Sequence, residues 1–179
     1  MAKRNIYLLL TRFPDNGTKV ISALTGCQYP HASIGLEEDL NTFYSIVTRG
    51  FIEENIMRYV KPDREPFPCQ LYELEVSEKV YSRIKEILQY YVANKGIIRY
   101  AKLGLVMSLL RIPHEPFAYC YFCSEFVANV LQCSGAAELK KKSTCCFSDD
   151  LKQLPGMKLH FQGNLKTMIR HFELAPCLT

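Results

Sequence analysis

The segment from Phe122 to Leu131 limits the possible folds of this chain most. Phe122, Phe126, Val127, Val130 and Leu131 recur at helical spacing, so one face of a helix there is apolar and must be buried. Ser134-Gly135 supplies the stop signal. Cys123 then stands in the first turn. At that position the helix dipole and the unpaired N–H groups favour a thiolate over a thiol. A thiol so placed becomes a nucleophile once an imidazole can take its proton. The candidate imidazole lies far upstream, at His31 in Tyr29-Pro30-His31-Ala32-Ser33-Ile34.

The 179 residues suit a single domain over 1–179, with room for a small helical insertion over 78–112. A hydrophobic content of 48% is enough for a real core. The net charge of +4 is mildly basic and does not call for a nucleic-acid partner. Lys140-Lys141-Lys142 reads as a solvated loop. The apolar run Ile6–Leu10 is shorter than the roughly seven to fifteen residues of a signal-peptide core. No stretch approaches the roughly 18–20 apolar residues of a membrane span. The expectation is a cytoplasmic protein with no stable membrane insertion and mostly reduced cysteines. The sequence carries no signal for an oligomeric state.

Taken in order, Ile6–Thr11 reads as a strand and Lys19–Thr25 as a short helix closed by Gly26. His31–Leu36 and Thr42–Thr48 read as a hairpin. Residues 50–55 lead into a segment of no clear pattern, and Lys61–Pro68 reads as a surface loop. Gln70–Val76 alternates as a strand should. Ser77 is suited to cap a helix over Glu78–Ala93. Ile97–Leu110 is a second, more apolar helical stretch, broken by Pro113 and Pro116. The plain expectation for it is a buried helix; the sharper one is a wall for an acyl chain beside Cys123. A short helix over Asp149–Gln153 and a last strand over Lys158–Gln162 close the chain. The fold class is α+β, an antiparallel sheet packed against the helix that carries the nucleophilic Cys.

A lone Cys in a helix is usually a small core hydrophobe, and a lone strand His is usually hydrogen-bonded structure. Together, a helix-start thiol and a strand imidazole are the two halves of papain-like chemistry. Cys120-x-x-Cys123 can also be read as a redox or zinc motif. A zinc site would need further ligands such as His114 and Cys145-Cys146, and no βαβ context supports a thioredoxin-like site.

Cys-Ser-Glu-Phe-Val at 123–127, with Pro-His-Ala-Ser-Ile at 30–34 before it, resembles the circularly permuted papain-fold branch of the NlpC superfamily. That branch holds the YiiX/YaeF-like amidases and the lecithin–retinol acyltransferase-like enzymes. In it the His strand precedes the Cys helix, as here. Thr25-Gly26, Tyr44-Ser45, Gly96 and Tyr100 agree, and the likeness covers about residues 5 to 165. It implies a permuted papain-like (NlpC-type) fold and a cysteine hydrolase or acyltransferase. Such an enzyme acts on an amide, thioester or ester through an acyl-thioester. Cys123 would be the nucleophile and His31 the base. The backbone N–H of Cys123 would help bind the oxyanion, with Tyr100 and Ser124 near it. The third group that orients the imidazole would come from the next strand, Ser45 first and Tyr44 second. No cofactor or metal is implied. The substrate would be a small molecule, a peptide-like amide or a lipid. The competing reading is a non-catalytic lipid- or peptide-binding module that keeps the cleft, because a hydroxyl is a weak third group. Glu125, two residues after the thiol, reads as a surface or capping residue.

Overall fold

A computed structural model describes residues 2–60, 67–112 and 114–174, with no account of the side chains of 173 and 174. The first strand, β1 (Lys3–Thr11), is apolar on both faces from Ile6 to Leu10, and this places it in the interior of the sheet. Helix α1 (Asn16–Thr25) follows, capped by Asp15, whose carboxylate accepts the Thr18 N–H at 2.9 Å. Next come β2 (His31–Leu36), β3 (Asp39–Val47) and β4 (Gly50–Asn55). After a 3₁₀ turn at Ile56–Tyr59 the chain returns as β5 (Pro68–Ser77). Ser77 then caps α2 (Glu78–Ala93). A two-residue strand β6 (Arg99–Tyr100) leads into α3 (Lys102–Leu109), and β7 (Cys120–Tyr121) leads into α4 (Cys123–Ser134). Helix α5 (Ser148–Leu151), β8 (Lys158–Asn164) and α6 (Leu165–Leu174) complete the chain.

Six strands form one antiparallel sheet in the order β4-β3-β2-β1-β5-β8. Alternation along each strand feeds two cores. On one face Leu8, Leu10, Ala32, Ile34 and Ile46 meet α2 and α4, whose Ile84, Leu88, Phe126, Val127 and Val130 are buried. On the other, Leu9, Phe43, Ile56 and Leu71 meet Leu165 and Met168 of α6. Each Leu, Ile, Val, Phe or Met among them contributes about 1.5–3 kcal/mol by leaving water. The protein is therefore α+β, a sheet between helical layers.

Several expectations shift. Residues 50–55 are a regular strand. The final α6 has no counterpart among the expected elements; Leu165, Met168 and Ile169, with the half-buried Phe172, mark its inner face. Ile97–Leu110 is not one buried helix. It splits into β6 and α3, and α3 buries only Gly104 and Ser108. The expected loop over Lys61–Pro68 lies, at residues 61–66, outside the described residues, as does Pro113. Among the described residues no helix is long and apolar enough to cross a membrane.

Candidate active site

Cys123 and His31 reach the same place by different routes. Phe122, 1% exposed, anchors the start of α4 in the core and sets Cys123 as its first residue. The carboxylate of Glu125 accepts the Phe122 N–H at 3.3 Å and so closes that helix end. His31 opens β2, where it pairs with Thr11 at the last register position of β1. Both side chains line one cavity of about 190 Å³ with Phe13, Thr18, Ile21, Ile46 and Tyr100. Both are buried, Cys123 to 8% exposure and His31 to 7%. The neutral thiol donates to the Pro30 carbonyl at 3.6 Å, one residue from the imidazole.

The group that orients His31 is a carboxylate. Glu54, 4% exposed, comes from β4 and accepts from His31 Nε2 at 3.4 Å. Ser33 Oγ, two residues along β2, donates to the same Glu54 oxygen at 2.5 Å and lies 3.2 Å from the imidazole. Phe13 packs on the ring at 4.9 Å, with Tyr59 and Phe67 behind it. With Nε2 taken, Nδ1 is the nitrogen left for the sulfur.

The electrostatics follow from burial and these partners. Burial by itself would lower the pKa of His31. The Glu54 carboxylate and the Cys123 sulfur override it and push the imidazole up to about 10. Burial would raise the thiol, but His31 together with the backbone at Ala32 and Ser124 takes Cys123 below its ordinary value. Burial would also raise Glu54, and His31, Ser33 and Tyr59 hold it below the usual carboxylate range. Each partner thus shifts the other toward its charged form, the thiol downward and the imidazole upward, with the Glu54 carboxylate behind the imidazole.

The other expected site residues divide. Tyr100 lines the same cavity because β6 runs parallel to β7 and pairs Tyr100 with Tyr121, two residues before the thiol. Its phenol is raised first by burial and then by Cys123. Ser124 is buried, and its hydroxyl donates to the Cys146 carbonyl at 2.8 Å, so that hydroxyl is tied into the fold and does not face the cavity. Ser45 is fully buried and donates to the Ala32 carbonyl at 2.7 Å. Tyr44 lies on the opposite face of the sheet, stacked on Phe51 at 6.3 Å. Neither orients His31, because the orienting position falls one strand further on. Ser33, Glu54, Phe13 and Tyr59 were missed. The available signal was Glu53-Glu54: in a strand, adjacent residues face opposite ways, so one of two neighbouring carboxylates must point inward.

Cys120 is half-buried on β7, and Cys145 and Cys146 differ in burial. Among the described residues the seven cysteines are free, and no group of three or more His, Cys, Asp or Glu side chains is placed to hold a metal ion. Compared with known proteins, the chain matches no family model and no curated protein.

Proposed function

We propose that this protein is a cysteine hydrolase or acyltransferase of the circularly permuted papain-like, NlpC-type kind. The observation that carries the reading is the buried row Cys123, His31, Glu54, in which a carboxylate holds the imidazole that faces a helix-start thiol. The order of His strand before Cys helix, and the sheet packed on that helix, agree with the permuted arrangement.

The thiolate of Cys123 attacks the carbonyl carbon of an amide, ester or thioester. A carbon–sulfur bond forms and the carbonyl electron pair moves to oxygen. The backbone N–H of Cys123, at the positive end of α4, stabilises that oxyanion, with Tyr100 beside it. As the tetrahedral species collapses, the imidazolium of His31 gives its proton to the leaving nitrogen, oxygen or sulfur. The acyl group stays on sulfur as a thioester. Neutral His31 then draws a proton from water or another acceptor, which attacks the thioester, and the thiolate leaves. Glu54 keeps Nδ1 aimed at the sulfur and stabilises the imidazolium. A binding module without catalysis has no need of a buried carboxylate on the imidazole. A buried carboxylate in that position supports chemistry. The cavity is small and largely apolar, which suits a short or narrow acyl group at the reacting carbon.

Incubation with an activated acyl ester, such as a p-nitrophenyl ester, followed by intact-mass and peptide mapping tests this reading. One acyl group on Cys123 is expected, absent in Cys123→Ala and strongly slowed in His31→Ala. Acylation at Cys27 or Cys145 instead, undiminished in Cys123→Ala, would overturn it.

A further inference from the structure

Nine of the twelve large hydrophobic side chains exposed among the described residues fall in two segments. Val20 and Leu24 lie on α1; Leu103, Val106, Leu110, Ile112 and Phe117 lie on α3 or against it, and Ile97 and Tyr119 lie beside β6. Helix α3 is inverted. It turns Gly104 and Ser108 inward, one turn apart, and leaves Leu103 62% exposed, Val106 50% and the following Leu110 65%. The close fit is deliberate: a Cβ on Gly104 would meet Ala101 Cβ and His114 Nε2 at 3.3 Å, and Ser108 is tied to the Gly104 and Thr144 carbonyls. A surface helix ordinarily does the reverse. The two segments adjoin, since Leu24 and Leu109 line one cavity.

The unpaired charges around this face are mostly positive; the exception is the exposed Asp15 at the start of α1, whose carboxylate accepts from the Thr18 N–H and hydroxyl. Lys102 and Arg111 flank α3, and Lys19 lies beside Val20 on α1; all three are exposed and form no ion pair among the described residues. The acidic groups of the shared cavity are already matched, Asp150 by Lys141 at 2.8 Å and Asp149 by Lys152 at 2.5 Å. Glu115 is likewise taken by Lys142. An apolar face with a basic border is complementary to an anionic lipid surface, where hydrocarbon takes the apolar side chains and headgroups take the cations. A second copy of this chain would bring the same cations against themselves.

We propose that α3 and the outer side of α1 form a docking surface for an anionic membrane. Tyr100 at the foot of α3 and Ile21 of α1 both line the Cys123 cavity, so docking sets the mouth of that cavity beside the lipid. The surface does not depend on the thiol chemistry.

Flotation with extruded vesicles tests the proposal, using phosphatidylcholine alone and a three-to-one mixture with phosphatidylserine. Wild-type protein is expected to float with the mixed vesicles, less so with rising salt. Cys123→Ala should float equally well, which separates docking from catalysis. Leu103→Glu with Val106→Glu should weaken binding at least about tenfold, since each replaces an apolar contact with a charge that anionic headgroups repel. Both positions are exposed, and an unchanged melting curve would confirm the fold. Lys102→Glu with Arg111→Glu should abolish the preference for phosphatidylserine. Wild type that floats with neither vesicle, or glutamate variants that bind as wild type does, would overturn the proposal. So would light scattering that shows a dimer dissolved by Leu103→Glu and Val106→Glu.

Discussion

Glu54 decides what Cys123 is. Without a carboxylate on Nε2, burial would pull the imidazole down and the thiol up, opposed chiefly by their contact with each other. Glu54→Gln keeps the shape and removes the charge. The imidazole pKa should fall, the imidazolium that stabilises the thiolate should become scarce, and acylation of Cys123 at neutral pH should slow by about a hundredfold or more. Direct repulsion between Glu54 and the sulfur acts the other way, but His31 stands between them. Ser45→Ala makes the contrast. It removes a hydroxyl that serves the Ala32 carbonyl, so it should cost about 1 kcal/mol of stability and leave the acylation rate nearly unchanged. Rates from the same ester assay, beside urea melts, check both. A second carboxylate behaves differently. Glu125 is 2% exposed with one backbone partner, and burial pushes its pKa up to about 7. A folded-state value above the unfolded one means the contribution is fully favourable below about 4.5 and is lost as pH rises through about 7. Glu125→Gln should remove that dependence, which is on the order of 3 kcal/mol at most, as urea melts across this range would show.

At the scale of elements, the site depends on how β4 is held. Gly50 starts it at φ +108°, and a Cβ there would stand 2.6 Å from the Ile98 carbonyl. Gly50→Ala should therefore destabilise the protein by about 2 kcal/mol or more and loosen Glu54 with it. Thermal melts of the variant check this. The strands that frame β1 and β2 were legible because their residues are apolar on both faces or alternate cleanly, and α2 and α4 because their apolar residues keep helical period. Strand β4 was not, since Phe51-Ile52-Glu53-Glu54 breaks alternation where it turns a charge inward. That inward charge is the carboxylate that meets His31, so the local pattern failed just where the candidate site is. Helix α3 misled in the opposite way. Its apolar composition implied burial, but only Gly104 and Ser108 are buried, Leu105, Met107 and Leu109 are half-buried, and Leu103 and Val106 face out. The pairing of Cys123 with His31 was readable only through types and order, because 91 intervening residues carry no signal of contact.

On the scale of the whole molecule, the sheet separates two cores and the site lies at their shared end. The thiol comes with the helix of one core, and the imidazole and carboxylate turn toward the aromatic cluster of the other. Relative movement of the two layers would separate the Cys123 sulfur from the His31 imidazole, so the proposed chemistry requires both cores to be intact. Cys123→Ala removes a single polarised atom from this seam and should leave the melting temperature within a few degrees of wild type, as calorimetry would show. The most direct test is the rate at which iodoacetamide alkylates Cys123 as a function of pH, in wild type and in Glu54→Gln. The wild-type rate should rise well below pH 8.5, the ordinary range of a thiol, with the onset moved upward in Glu54→Gln. Coincident onsets near 8.5 in both proteins would contradict a thiolate held by His31 and Glu54.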